Sequence, residues 1–249
     1  MQNKRIAIVT GAARGIGRAI AARLASEGRR VALVDYDREA LEAAALDIGD
    51  RRDCLPVCAD VSDAGAIESA IQRVAEEMGP PSILVNNAGS ARDQPLQLMT
   101  VDDWDSVLNV HLRAAFLACR AIRPHLLANR WGRIVNISSI SGRGHPDRVN
   151  YCSAKAGLEG LTRALAIELG PVGVTVNAIA PGLIVTRMTE NTAARLGRSL
   201  ADHVQQAAAT IPVRRTGTPD DIAAPTAFFC SEEAGFITGQ TLYAEGGPV

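Results

Sequence analysis

No basic block stands out in this chain: 26 Lys and Arg face 27 Asp and Glu, a net charge of −1. Nucleic acid and anionic membrane both need clustered cations that displace counterions, so neither is expected as a partner. Long apolar runs are missing as well. Residues 1–5 lead into only a short apolar stretch, which gives neither a signal peptide nor a spanning helix, and a cytoplasmic protein is expected. The five cysteines, Cys54, Cys58, Cys119, Cys152 and Cys230, are odd in number and lack paired C-x-x-C spacing. That argues against a disulfide framework and a zinc site, so buried thiols and no metal are expected. Repeats, low-complexity segments and interdomain linkers are also absent. What remains is 249 residues, 47% hydrophobic and 21% charged, enough to bury a substantial core in one α/β domain.

Residues 5–10 form a short β-branched run, followed at once by Gly11-Ala-Ala-Arg-Gly15-Ile-Gly17 and an alanine-rich helical pattern to about Glu27. A glycine loop between strand and helix lets backbone approach a pyrophosphate, which the free N–H groups and dipole of the helix N-terminus then favour. A second strand over 30–34 ends on Asp35. A carboxylate there can accept from both adenosine ribose hydroxyls and repels a 2′-phosphate, which favours NAD over NADP. Arg14 argues the other way, since a guanidinium in the loop could hold that phosphate. The residue after Asp35 is Tyr36, however, so no second base supports it.

Further strands are expected over 54–58, 83–85, 132–137, 174–180 and 239–244, with helices over 38–48, 64–78 and 101–129, from about 150 to 169, and from 219 onward. Strands alternating with helices imply a doubly wound, Rossmann-like sheet of about seven parallel strands in a single domain over 1–249, with ligands at its carboxyl edge. That edge receives Asp60-Val61, Asn86-Asn87-Ala88-Gly89, Ser138-Ser139 and Pro181-Gly182. Residues 186–212 form a polar, alanine-rich insertion that reads as a substrate lid. Asn109 lies in an apolar helical setting that does not favour it, so it is expected to bend backbone or hold a water.

Tyr151-Cys-Ser-Ala-Lys155 sets a phenol and an ammonium one helical turn apart on one face. The lysine cation is expected to lower the phenol toward a range useful for proton transfer. Cys152 points off that face.

Thr10-Gly11-x-x-x-Gly15-x-Gly17, Asn86-Asn87-Ala88-Gly89, Asn109, Ser139, Tyr151-x-x-x-Lys155 and Pro181-Gly182 stand in one order along nearly the whole chain. They resemble the signature blocks of the short-chain dehydrogenases/reductases. The ending 239–247 is also similar, with Glu245 where Asp is more familiar. The resemblance implies hydride transfer between nicotinamide C4 and a carbonyl or alcohol carbon. Tyr151 would exchange the proton on the substrate oxygen and Ser139 would hydrogen-bond that oxygen. Lys155 would hold the nicotinamide ribose, and Asn109 a water linking Lys155 to solvent. Cofactor contacts carried over are Gly11, Arg14, Gly15, Ile16, Gly17, Asp35, Asp60, Val61, Asn86, Asn87, Ala88, Gly89, Tyr151, Lys155, Pro181, Gly182, Ile184 and Thr186.

Ser138 competes with Ser139, because Ser139 lies 12 positions before Tyr151, about one fewer than the family pattern. An NAD-linked secondary alcohol dehydrogenase or ketone reductase is the leading expectation. An NADPH-linked ketoacyl-thioester reductase, with Arg130 near an acidic carrier, and a non-catalytic dinucleotide-sensing scaffold are the alternatives. His145, Pro146 and Arg148 are expected to wall the substrate pocket, Arg148 as an exposed loop charge or as the partner of a carboxylate. A homotetramer built on helices around 114–121 and 158–169 is expected.

Overall fold

The structure, a computed structural model, describes residues 4–247; the expected domain's ends, 1–3 and 248–249, lie outside them. Seven strands, β1 (Ile6–Thr10), β2 (Arg30–Asp35), β3 (Cys54–Cys58), β4 (Ile83–Asn86), β5 (Gly132–Ile137), β6 (Val174–Pro181) and β7 (Thr241–Ala244), form one sheet in the order β3-β2-β1-β4-β5-β6-β7. Every pairing is parallel. Helices cover both faces: α1 (Gly15–Ser26), α2 (Arg38–Ile48), α3 (Ala64–Glu77), α4 (Val101–Leu108), α5 (Ala114–Asn129), α6 (Val149–Leu169), α7 (Arg187–Arg195), α8 (Leu200–Thr210) and α9 (Pro219–Phe229). This is the Rossmann-like α/β architecture expected from the strand–helix alternation.

The strands read as continuous apolar runs because both faces are buried. Successive residues serve opposite sides: Ile6, Ile8, Ala32 and Val34 pack with α3 and α5 residues such as Ile67, Ile71, Leu117 and Ile122. Ala7, Val9, Val31 and Leu33 pack with Ile20 and Leu24 of α1 and Ile222 of α9. Helix starts follow local chemistry. Asp37 caps α2 by accepting from Ala40 N, and Asp63 caps α3 by accepting from Ala66 N.

One expected helix is split. Residues 101–129 form α4, a π turn over Asn109–Arg113 and then α5. The Ala114 N–H donates to the Asn109 carbonyl, five residues back, which widens the turn at Asn109. The insertion after β6 is helical, as α7 and α8.

Candidate active site at the carboxyl edge

Because the sheet is wholly parallel, all seven strands deliver their following loops to one edge. Strand order reverses between β1 and β4, and that switch point opens the crevice in which such sheets place ligands. The glycine loop fills one side. Gly11 has φ 65° and Gly15 φ 56°, left-handed values that favour glycine. A Cβ on Gly11 would also stand 2.8 Å from Ala88 Cα, so the loop can lie against the end of β4 only without a side chain.

Thr10 and Asn87 lock that contact. Thr10 Oγ1 accepts from Asn87 N at 3.0 Å and Ala88 N at 3.1 Å, while Asn87 Nδ2 donates to the Thr10 and Gly11 carbonyls at 2.9 and 3.1 Å. Asn86 is placed differently. Its amide turns into the core, donating to Asn136 Oδ1 at 2.8 Å, and Asn136 in turn donates to Thr162. Gly89 lies against His111, whose ring would be 2.3 Å from a Cβ there.

Helix α1 begins at the loop with Arg14 at its N-cap, no side-chain cap and no acid in the first turn. Its first N–H groups, with Ile16 and Gly17 beneath them, therefore offer a seat for an anion. Arg14 pairs with Asp37. Asp35 accepts from Ala13 N and Asp37 N, both at 3.1 Å, and so holds the loop and the end of β2 together. Asp60 is exposed and accepts from Ser62 N at 2.9 Å, whereas Val61 is buried. At the far side Pro181 ends β6, Gly182 N donates to the Ala244 carbonyl, and buried Ile184 bridges to Gly217. The Thr186 methyl stands over Gly15, 3.6 Å from the position of a Cβ.

Tyr151 and Lys155 lie on the first two turns of α6, 8% and 3% exposed. Lys155 Nζ donates to the Ile137 carbonyl at 2.6 Å and sits 5.4 Å from the Tyr151 ring centroid. Burial, then the Arg148 charge, pushes this lysine down to about 7. Burial also dominates at the phenol and raises it, against the downward pull of Arg148 and of a hydrogen bond from Ser139. The direction is opposite to the lowering expected from the lysine, because desolvation of the buried phenol outweighs the Arg148 charge and the Ser139 hydrogen bond.

The two serines separate cleanly. Ser138 Oγ faces away, 3.0 Å from the Lys155 carbonyl and 3.1 Å from Glu159 Oε1. Ser139 is extended, caps the 3-10 turn Ile140–Arg143, and presents its hydroxyl to Tyr151. Asn109 stands at the head of the π turn, which packs beside α6.

Two further neighbours of Tyr151, His111 and Asn150, carried no signal in the sequence. His111, on the π turn, meets the ring edge-on with centroids 5.1 Å apart, and its Nε2 lies 2.7 Å from the Ser90 carbonyl. Burial holds this imidazole down at about 3, so it is neutral. Asn150 accepts from Tyr151 N and donates to the Arg92 and Asp103 carbonyls, pinning the loop after β4 to the start of α6. Arg148 is not the exposed loop charge expected: its side chain is 16% exposed and its guanidinium carbon lies 4.5 Å from the Tyr151 ring centroid. His145 and Pro146 are exposed.

A buried phenol carrying a hydrogen-bonded hydroxyl and flanked by cations, beside an anion seat at the sheet's switch point, can move a proton at an oxygen brought near the crevice. Among the described residues no cluster of His, Cys, Asp or Glu could hold a metal, and no helix is long and apolar enough to cross a membrane.

Known proteins share this chain's sequence over its length. The family model described as "Enoyl-(Acyl carrier protein) reductase" matches residues 11–248. The short-chain reductase protein NovJ of Streptomyces niveus is 42% identical over 250 residues, 99% of this chain and 95% of that protein. The 3-oxoacyl-[acyl-carrier-protein] reductase FabG of Staphylococcus aureus is 41% identical over 252 residues, 99% of both chains. The (2S)-[(R)-hydroxy(phenyl)methyl]succinyl-CoA dehydrogenase subunit BbsD of Thauera aromatica is 39% identical over 244 residues, 98% and 96% of the two chains. The chain belongs to the short-chain dehydrogenase/reductase family, oxidoreductases that move a hydride between a nicotinamide cofactor and an alcohol or carbonyl carbon.

Proposed function

We propose that this protein is an NAD-linked dehydrogenase/reductase of a secondary alcohol and its ketone, with Tyr151 as the acid/base group. The observation that carries the reading is the Tyr151 phenol, buried at the sheet edge with the Ser139 hydroxyl and two cations around it. Bound, the nicotinamide supplies the carbon that gives or takes the hydride. Tyr151 passes the proton to or from the substrate oxygen, and Ser139 donates a hydrogen bond to that oxygen. Lys155 holds the phenolate and the ribose. Asn109, at the head of the π turn, holds a water on the solvent side of Lys155.

The residues fit such a cofactor. The uncapped α1 N-terminus with Gly11, Arg14, Gly15, Ile16 and Gly17 would seat the pyrophosphate, and Asp60 and Val61 would bound the adenine. Asn87, Ala88, Gly89, Pro181, Gly182, Ile184 and Thr186 would line the rest of the crevice, with Asn86 beneath it. The NAD preference rests on Asp35 at the end of β2, and on Arg14 being drawn to Asp37 instead of standing free for a 2′-phosphate. The helices over 186–212 would close over the substrate as a lid. The five unpaired thiols suit a reducing compartment such as the cytoplasm. Exposed Phe116 on α5 and Ile167 on α6 suit the packing of copies into a homotetramer, which light scattering tests.

A second reading, reduction of ketoacyl thioesters with NADPH, draws support from the relative whose name states 3-oxoacyl-[acyl-carrier-protein] reduction. The relative named as a hydroxy(phenyl)methylsuccinyl-CoA dehydrogenase subunit supports the oxidative direction. Calorimetric titration with NAD⁺ and NADP⁺, followed by absorbance of reduced nicotinamide over panels of secondary alcohols and ketoacyl thioesters, separates the two. Tight NADPH binding without NADH binding would overturn the NAD assignment. Tyr151→Phe should keep cofactor affinity within a few-fold and lose at least about 10²-fold in turnover; retained turnover would assign the proton to another group.

A further inference from the structure

We propose that Arg148 is a positioning residue for proton transfer, a second cation beside Lys155 that holds the Tyr151 phenolate, its field set by Asp93 and, through Asp93, by Arg195 of α7. The inference rests on Tyr151 as the acid/base group. Arg148 precedes Tyr151 by three residues and lies against the ring, its guanidinium carbon 4.5 Å from the centroid where Lys155 Nζ stands at 5.4 Å. A cation over an aromatic face gains strongly when the ring becomes a phenolate, since the new charge is delocalised into it.

Asp93 comes from the loop after β4, and its side chain is only 4% exposed. Its Oδ1 lies 3.0 Å from Arg148 Nε and its Oδ2 lies 3.1 Å from the Arg195 guanidinium. Oδ1 and Nε touch as charges, yet among the described residues neither has a hydrogen-bond partner. One buried carboxylate is thus shared by two guanidiniums, one at the start of α6 and the other at the end of α7. The triad carries a net positive charge. Arg195, 45% exposed, reaches the phenol only through Asp93. With Arg195 in place, Asp93 is neutralised from outside and opposes Arg148 less, so the docking of α7 and the stability of the phenolate are coupled.

The groups that could compete are few. From the start of α6 the phenol faces Arg148 and Lys155, while Cys152, whose thiol burial holds protonated, turns toward the His145 carbonyl. From the π turn it faces neutral His111, and from the loop after β4 it faces Asp93. On α4, Asp103 is paired with Arg92, and Asp102 and Asp105 are exposed. Arg143 is paired with Glu245, and Glu159 is taken up by Ser138 and Tyr243. Arg148 pulls the phenol down and Asp93 pushes it up, the signs that this arrangement requires.

The experiment is a spectrophotometric titration of tyrosinate absorbance in the whole protein. The Tyr151→Phe variant is subtracted to remove Tyr36 and Tyr243. Arg148→Gln should titrate about one unit or more above wild type, the usual effect of losing an adjacent cation, and Arg148→Lys should lie close to wild type. Arg195→Gln should move the same way by less, and Asp93→Asn the opposite way. Titration of Arg148→Gln at the wild-type pH with unchanged circular dichroism, or of Arg148→Lys together with Arg148→Gln, would overturn the proposal. Should Arg148→Gln not fold, the exposed Arg195→Gln decides: an upward shift supports the coupling and no shift overturns it. Turnover of Tyr151→Phe is measured in parallel. Retained turnover refutes the acid/base assignment itself, whereas lost turnover with an unmoved titration refutes only the role of Arg148.

Discussion

Replacing Thr10 by valine tests the joint between the glycine loop and the end of β4. The side chains are nearly isosteric, and Thr10 is 3% exposed, so the substitution leaves no cavity and removes only an acceptor. Two backbone donors lose it, Asn87 N at 3.0 Å and Ala88 N at 3.1 Å. The hydroxyl's own donation, to the Val85 carbonyl at 3.4 Å, is too long to contribute much. Leaving a buried donor unsatisfied costs about 1–3 kcal/mol. Asn87 and Ala88 are half-buried, which puts each near the lower end, about 1 kcal/mol, or about 2 kcal/mol together. For a chain of this size that corresponds to a melting temperature lower by about 4–8 °C. Thermal unfolding followed by circular dichroism at fixed protein concentration measures it. Thr10→Ser keeps the oxygen and loses one methyl, about 0.8 kcal/mol, so it should fall by less than half as much. A valine variant melting within about 1 °C of wild type, or melting together with the serine variant, would show that the hydroxyl does not hold the loop.

Three other perturbations follow from the site. His111 is neutral in the folded protein down to about 3, so its contribution to stability is complete above about 6.5 and is lost as pH falls from there toward 3. Denaturant titrations across that range should show wild type losing about 1.4 kcal/mol per pH unit more than His111→Gln; parallel curves would refute the buried neutral imidazole. Lys155, pushed down to about 7, is buried at a cost that vanishes as pH rises toward about 10.5. Lys155→Met should therefore melt higher than wild type at pH 7, with the gain fading at alkaline pH, while turnover is lost; equal melting at pH 7 would contradict this. Asp35→Ala should improve NADP⁺ affinity relative to NAD⁺ by about tenfold or more, roughly 1.4 kcal/mol of removed repulsion, read by calorimetry. An unchanged ratio would move the determinant to Arg14.

Strand and helix order, the parallel sheet and the site's main parts were legible because they depend on short-range pattern. Apolar runs of five or six residues buried on both faces announce parallel strands, and Tyr151 and Lys155 share a face through helical spacing alone. The π turn was only half visible. Asn109 signalled an irregular turn, but the register of a five-residue bond depends on how α4 and the π turn pack against α6. Ser139 was picked over Ser138 by the family's S-x-x-G form, and in the structure the Ser138 hydroxyl turns to the Lys155 carbonyl and Glu159.

By itself the sequence determined the layout: which segments are strands and helices, which loops reach the carboxyl edge, and that a phenol and an amine share one helical face there. Tertiary structure alone decided the electrostatic setting of that phenol. Arg148 looked like a surface charge and Asp93 like a residue of an unremarked loop. Only the folding of residues 87–100 over the start of α6, pinned by Asn150, buries them together beside Tyr151. Charges separated by 55 and 47 positions, Asp93 to Arg148 and Arg148 to Arg195, carry no periodic signal. Their strength comes from being desolvated together, which is a property of the packed loop and not of any one segment.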